Sequence, residues 1–140
     1  MSETPSLVTV VEVSGAAYAQ TVTIGRHALT ADEPVARGGQ DAGPSPYDLL
    51  LAGLGACTVI TIRMFVQRHN WPLIRTTVDL GHEKVPSGSG TMTDHFSRVI
   101  HFEGELTEEQ RARLLQVSEH CPVSETLRHA ASVDTKLADP

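Results

Sequence analysis

The stretch that decides the fold is residues 46–69, P-Y-D-L-L-L-A-G-L-G-A-C-T-V-I-T-I-R-M-F-V-Q-R-H. Pro46 suits the first turn of a helix, and Ser45 suits the N-cap position before it. Asn70-Trp71-Pro72 ends the segment, because proline cannot continue a helix. The middle of the segment is apolar on all sides, so we predict a helix of roughly 24 residues that is buried in the core.

Three short strands are predicted before this helix. Residues 7–13 and 18–24 are rich in β-branched residues and predict a hairpin around residues 14–17, and a third strand covers residues 27–31. Residues 32–46 contain three prolines and three glycines, which exclude a helix or a central strand. Loops of this length usually line a site or cross between subunits.

After the long helix, the pattern predicts two strands, two helices and a closing strand. The strands cover about residues 74–85 and 98–104 and are joined by a Gly/Ser-rich turn. Thr107 and Gln110 form a capping box that begins a helix running to about His120. A short third helix opens at Cys121-Pro122, and residues 131–137 predict the last strand. We therefore expect one α+β domain over residues 1–140.

Composition excludes several classes of protein. The formal charge is −6 and no dense run of Lys or Arg occurs, so nucleic acid is not an expected partner. The uncharged apolar stretch from Leu49 to Ile62 is shorter than the roughly 20 residues that a membrane-spanning helix needs, so no membrane partner is expected. Residues 1–5 lack the pattern of a signal peptide, so we expect a reducing, cytoplasmic location.

The two cysteines of the chain occupy different settings. Cys57 lies midway along the apolar helix, and this position by itself favours a buried structural cysteine. Cys121 directly precedes Pro122 and is the predicted N-cap of the third helix, where the first-turn amides favour the thiolate over the thiol. A cysteine that serves only as an N-cap is the alternative. In a reducing compartment, two cysteines are more often free, catalytic or redox-cycling than a structural disulfide.

Metal and hydrolase chemistry find little support in the sequence. No spacing typical of a zinc site occurs, and the histidines are scattered, at His27, His69, His82, His95, His101, His120 and His129. The chain also has no G-x-S-x-G nucleophile elbow. We therefore predict no metal and no cofactor.

Two motifs containing the cysteines match a pattern that is known. The first covers residues 38–57, G-G-Q-D-A-G-P-S-P-Y-D-L-L-L-A-G-L-G-A-C, and the second covers residues 119–124, E-H-C-P-V-S. In order and approximate spacing, they resemble the OsmC/Ohr family of osmotically inducible and organic hydroperoxide resistance proteins. Residues 27–34 resemble its OsmC-like branch. The resemblance implies the OsmC-like fold, an antiparallel sheet wrapped round a long buried helix, in an intertwined homodimer.

The resemblance also implies roles for the cysteines. In the family, the first cysteine attacks a hydroperoxide as a thiolate and becomes a sulfenic acid, and the second condenses with it into a disulfide. A dithiol reductant then reopens the disulfide. These roles fall to Cys57 and Cys121 respectively. The apolar side chains of Leu50, Leu54 and Ile60 suit the organic part of a lipid-like peroxide.

The sequence departs from the family's peroxidases at two supporting positions. They carry a glutamate ten residues before the first cysteine, where this chain has Tyr47 followed by Asp48. The family's peroxidases also carry an arginine in the first hairpin, whereas the hairpin turn of this chain, residues 14–17, contains none. Arg26 and Arg37 are therefore the candidates for a replacement cation. On a straight helix Tyr47 lies about 15 Å from Cys57, so we expect a second chain to deliver it.

Two hypotheses about function follow. The first is a thiol-dependent enzyme that reduces organic hydroperoxides through Cys57 and Cys121. The alternative is a non-enzymatic OsmC-like protein that binds a small apolar ligand at the same pocket. A cation within reach of the Cys57 sulfur would favour the enzyme, because burial alone disfavours a thiolate. The enzyme also requires the two cysteines to lie close enough to bridge, with Cα atoms within about 7 Å.

Overall fold

The computed structural model describes residues 7–139 and has the predicted α+β composition. The chain forms two compact units, of which the first ends at Leu50 and the second begins at Leu51. The boundary therefore falls inside the first α-helix. The described strands pair antiparallel, as predicted, but they form a three-stranded and a two-stranded sheet instead of one sheet. The reason is that each strand pairs with neighbours to which a short turn connects it.

The first unit contains the three-stranded sheet. Its strands are β1 (Val8–Glu12), β2 (Gln20–Ile24) and β3 (His27–Ala31), in the order β1-β2-β3. The predicted hairpin around residues 14–17 joins β1 to β2 and is confirmed. The third strand has the predicted bounds, and the first two are shorter than predicted because their ends leave the ladder of hydrogen bonds.

A buried carboxylate organises the loop that follows β3. Asp32 is 1% exposed, and its side chain accepts hydrogen bonds from the amides of Glu33 (2.8 Å), Gln40 (3.2 Å) and Ala42 (3.1 Å). These bonds, that from Glu33 foremost, hold the pKa of Asp32 below its usual range. A short 3-10 helix, Val35–Arg37, lies within the loop. The sequence predicted a turn-rich segment but did not indicate that the Asp32 carboxylate would organise it.

Two glycines let the same loop pack closely. A Cβ on Gly43 would overlap the carbonyl oxygen of Thr30, and a Cβ on Gly39 would overlap that of Glu33. Because both obstacles are backbone atoms, a larger residue cannot be accommodated by turning a side chain. The glycines in residues 32–46 are therefore needed for close approach as well as for turning.

Helix α1 (Pro46–His69) has the predicted bounds. Ser45 is its N-cap, as predicted: the Ser45 hydroxyl accepts from the amide of Asp48 (3.3 Å), and the Asp48 carboxylate accepts from the amide of Ser45 (3.0 Å). Hydrogen bonding with Ser45 lowers the pKa of Asp48, and the bond from the Ser45 backbone amide has the largest effect. The helix start is thus fixed by a reciprocal pair of local hydrogen bonds.

Within one chain, α1 is buried on one face only. Ile60 is 57% exposed and Met64 is 55% exposed. The predicted burial on all sides is therefore not met, because one hairpin and two short helices offer a single surface to the second-unit part of α1. By length and composition alone, α1 also qualifies as a membrane-spanning helix, a property that it shares with core helices of soluble proteins. The buried residues recur at helical spacing, at Leu54, Gly55, Thr58, Ile62 and Val66.

The second unit is built on a long hairpin. Strand β4 (Leu73–Pro86) pairs with β5 (Met92–Gly104) along nearly its whole length. β5 begins before its predicted start at residue 98, because pairing continues down to Pro86 and Met92 although residues 93–95 are polar. Cross-strand hydrogen bonds therefore override the weak local strand preference of these residues.

Two helices complete the second unit. Helix α2 (Glu108–Ser118) begins with the predicted capping box at Thr107, and α3 (Pro122–Arg128) begins at the predicted N-cap. α2 ends two residues before its predicted limit. The core joins α1, β4 and α2 through Ile62, Val66, Leu73 and Leu114.

The predicted closing strand is wrong. Residues 131–137 are described but form no strand, and Val133 and Leu137 are 87% and 96% exposed. A strand needs a partner for its backbone hydrogen bonds, and the apolar alternation of a segment cannot show whether such a partner exists. The intertwined homodimer is not tested by a single chain and stays a prediction.

Candidate active site

Cys121 lies at the start of α3, as the sequence predicts. Its backbone is extended, with φ −74° and ψ 141°, and its sulfur accepts a hydrogen bond from the amide of Ser124 at 3.4 Å. Pro122 occupies the first turn, where its missing N–H costs nothing. The thiol is fully buried, with 0% exposure. The fold therefore aims a helix-start amide at a sulfur that has no contact with solvent.

Cys57 lies beside this sulfur on α1. It is half-buried, and its side chain is close enough to Cys121 to lower the pKa of that thiol. Both thiols are free. The structure thus brings together two side chains that are far apart in sequence, and Cys57 is the more accessible of the two.

The surroundings of Cys121 favour its ionised form. Burial raises the pKa of the Cys121 thiol, but hydrogen bonds with the backbone and side chain of Ser124, with Cys57 and with Thr58 outweigh it, so the pKa is lowered overall. Thr58 Oγ1 lies 3.9 Å from the sulfur. A lowered pKa is typical of reactive thiols, although such thiols are usually more exposed than Cys121.

Arg98 of β5 provides a cation at this site. Its side chain is only 10% exposed, and Nη1 donates to Thr58 Oγ1 (2.9 Å), to the carbonyl of Ser118 (3.1 Å) and to Cys121 Sγ (3.7 Å). Nη2 donates to Ser124 Oγ at 3.3 Å. One guanidinium therefore links α1, β5, the end of α2 and the start of α3.

Sequence reasoning missed Arg98, although a signal existed. In β5 the half-buried residues alternate with exposed ones, and Phe96, Ile100 and Phe102 lie on the inner face. Arg98 occupies the same face, so an arginine stands where the alternation calls for an apolar side chain. Such an inward arginine needs a buried partner.

A cavity of about 330 Å³ opens beside Arg98 and Ser124. Leu54 lines it, as the predicted apolar wall requires, but Leu50 and Ile60 are 45% and 57% exposed. Asp94, which also lines the cavity, is paired with Lys84 at 2.8 Å. Phe96, Leu127 and Arg128 also line the cavity, which therefore combines apolar side chains with charged ones.

The supporting residues predicted from the sequence lie in the first unit. Asp48 caps α1, Arg26 follows β2 in a turn, and Arg37 ends the 3-10 helix. Tyr47 is 40% exposed in the first turn of α1. In the second unit, the cation at this site is Arg98, whose guanidinium donates to Cys121; no hydrogen bond from it to Cys57 occurs among the described residues. Among residues 7–139, no group of three or more His, Cys, Asp or Glu side chains is placed to hold a metal ion.

Comparison with known proteins gives one family match. The family model described as OsmC-like protein matches residues 38–136, which is well over half of the chain. The matched range contains both cysteine motifs. Among curated proteins, none is similar enough in sequence to count as a match.

Solved structures share the fold at low sequence identity. An OsmC-like protein from Mycoplasma pneumoniae has a TM-score of 0.74 at 18% identity, with 91% of this chain and 89% of that chain covered. An organic hydroperoxide resistance protein from Legionella pneumophila has a TM-score of 0.69 at 19% identity, with 91% and 92% covered. A putative organic hydroperoxide resistance protein from Vibrio cholerae, which has captopril in one of its active sites, has a TM-score of 0.67 at 22% identity, with 90% and 87% covered.

Proposed function

The chain belongs to the OsmC-like protein family, and we propose that it reduces organic hydroperoxides with Cys57 and Cys121 as its redox pair. The observation that carries the proposal is the proximity of the two thiols, together with the buried guanidinium of Arg98 beside Cys121. Family membership, together with structural relatives named for organic hydroperoxide resistance, favours a stress-response role. At their level of identity, they support the fold and not the chemistry.

The proposed reaction begins at Cys57, the more exposed of the two sulfurs. Its thiolate attacks one peroxide oxygen, the O–O bond breaks, and the alkoxide leaves and takes up a proton to become an alcohol. Cys57 is then a sulfenic acid. Cys121 attacks the Cys57 sulfur, a disulfide forms, and hydroxide leaves as water after protonation. A dithiol reductant returns both cysteines to thiols and is itself oxidised to a disulfide.

The cavity beside Arg98 suits the organic part of the substrate. Leu54, Phe96 and Leu127 offer apolar contacts, while Arg98 and Ser124 offer donors to a polar group. Hydrogen peroxide would gain nothing from the apolar part of this lining. We therefore propose a substrate that carries a hydrocarbon group.

The exposed apolar residues of α1 support a homodimer. Ile60 and Met64 are more than half exposed on a helix that is apolar on all sides. Such a surface is typical of an interface with another protein. A second copy of the chain would bury it, and light scattering after size-exclusion chromatography would then give about twice the 15.1 kDa of one chain. A monomer that remains stable and active on dilution would refute the dimer.

Stopped-flow oxidation of the reduced protein by cumene hydroperoxide tests the activity. We expect wild type to turn over with a dithiol, Cys57→Ser to consume no peroxide, and Cys121→Ser to complete one turnover and then over-oxidise at Cys57. Mass spectrometry of each variant locates the oxidised sulfur. Equal turnover by wild type and Cys57→Ser would remove Cys57 from the mechanism. An inert wild type that binds apolar ligands would instead favour the non-enzymatic binding protein.

A further inference from the structure

Arg98 contacts one of the two cysteine sulfurs and not the other. Its guanidinium donates to Cys121 Sγ, and no hydrogen bond from it to Cys57 occurs among residues 7–139. Of the three acceptors of Nη1, two are neutral, namely the Thr58 hydroxyl and the Ser118 carbonyl. The sulfur of Cys121 is the only one that can carry a negative charge.

A nearly buried guanidinium needs a counter-ion, because an unpaired charge in a poorly hydrated site is costly. The ionisable groups nearest the guanidinium are Cys57 on α1, Cys121 before α3 and Glu119 after α2. The cavity beside Arg98 is also lined by Asp94, which is paired with Lys84, and by His95 and Arg128. Glu119 lies 3.9 Å from Arg98, is 52% exposed and is also paired with Arg128. Glu119 therefore balances the charge of Arg98 only in part, and a thiolate at Cys121 would supply the counter-ion on the buried side.

We propose that Arg98 is a positioning residue that holds Cys121 as a thiolate, so that its charge serves the disulfide-forming step and not the attack on peroxide. The inference rests on the proposed function. The thiolate of Cys121 attacks the sulfur of oxidised Cys57 and the hydroxide of the sulfenic acid leaves, so no further oxidant is needed. Because Cys121 has 0% exposure, peroxide reaches Cys57 first, and the waiting thiolate shortens the life of the sulfenic acid.

An aromatic disulfide that releases a coloured thiolate tests this step without peroxide. Cys57 attacks the reagent and releases one coloured thiolate, and Cys121 then attacks the mixed disulfide at Cys57 and releases a second. The rate of the second release depends on Cys121 as the attacking nucleophile. The rate of this second release is measured from about pH 5 to about pH 10 in wild type, Arg98→Gln and Arg98→Lys. Arg75→Gln is the matched control, since Arg75 is 71% exposed on the partner strand.

We expect the effect of Arg98→Gln on the rate of the second release to reverse with pH, from slower than wild type at low pH to faster at high pH. Loss of an opposite charge close to a thiolate raises its titration midpoint by about one unit or more. Below both midpoints, Arg98→Gln loses about tenfold in thiolate but gains about threefold in nucleophilicity, so the second release slows about threefold. Above both midpoints only the gain remains, and the variant is about threefold faster than wild type. Arg98→Lys keeps the charge and should restore most of the wild-type profile.

Several outcomes would overturn the inference. A parallel slowing at every pH would mean that Arg98 acts only on structure, and a first release in Cys57→Ser as fast as in wild type would make Cys121 the first nucleophile. Should Arg98→Gln fail to fold, the thiolate absorbance of Cys57→Ser decides: its midpoint must lie below the ordinary thiol value of about 8.5. Failure of the proposed function is distinguishable, because it leaves these profiles intact and abolishes only hydroperoxide turnover.

Discussion

Replacing Thr58 by valine removes the hydroxyl through which α1 contacts Arg98, and it keeps the size and branching of the side chain. Thr58 is 0% exposed, accepts from Arg98 at 2.9 Å and donates to the carbonyl of Leu54 at 2.7 Å. A hydrogen bond to a charged group contributes about 1.5–3 kcal/mol. The new methyl group returns up to about 0.8 kcal/mol through apolar burial. We therefore expect Thr58→Val to lower the free energy of unfolding by about 1–2 kcal/mol.

Urea unfolding at one fixed protein concentration measures this loss, since concentration matters if the chain dimerises. Thr61→Val is the matched control, because Thr61 is a threonine of the same helix whose side chain makes no hydrogen bond among the described residues. The pKa of Cys121 should rise in Thr58→Val, because the Thr58 side chain lowers it and also anchors the Arg98 guanidinium beside the sulfur. The reasoning is refuted if Thr58→Val is as stable as Thr61→Val and the thiolate of Cys121 titrates as in wild type.

Two further predictions concern the loop after β3. Gly43→Ala should cost about 1–3 kcal/mol, because its Cβ would overlap the Thr30 carbonyl, whereas Gly88→Ala, which meets nothing, should be neutral; thermal unfolding of both variants checks this. The pKa of Asp32 is lower in the folded protein than in the unfolded chain, where it is about 4. The ionised carboxylate therefore stabilises the fold fully above the unfolded-state pKa, and this stabilisation is lost as the pH falls through the folded-state pKa. Exchange of the Ala42 amide should therefore accelerate in acid in wild type but show no such step in Asp32→Asn; identical pH profiles would contradict this account.

Sequence alone determined the features whose causes lie within a few residues. The bounds of α1 follow from Ser45, Pro46 and the break after His69, and the Thr107 capping box and the Cys121 N-cap depend on contacts no more than three residues apart. The two cysteine motifs predicted the family, which the family model confirms. These signals are readable because each one is complete within a short window of sequence.

Only the tertiary structure decided which face of α1 is buried, that residues 131–137 form no strand, and that Arg98 reaches Cys121. The partners of Arg98 lie between 20 and 40 residues away in the chain, on three helices and in the turn between α2 and α3. No local pattern encodes such contacts, because they depend on how β5, α1 and α3 pack together. The position of Cys121 at a helix start could be predicted from the sequence, whereas the guanidinium beside its sulfur is placed there by packing.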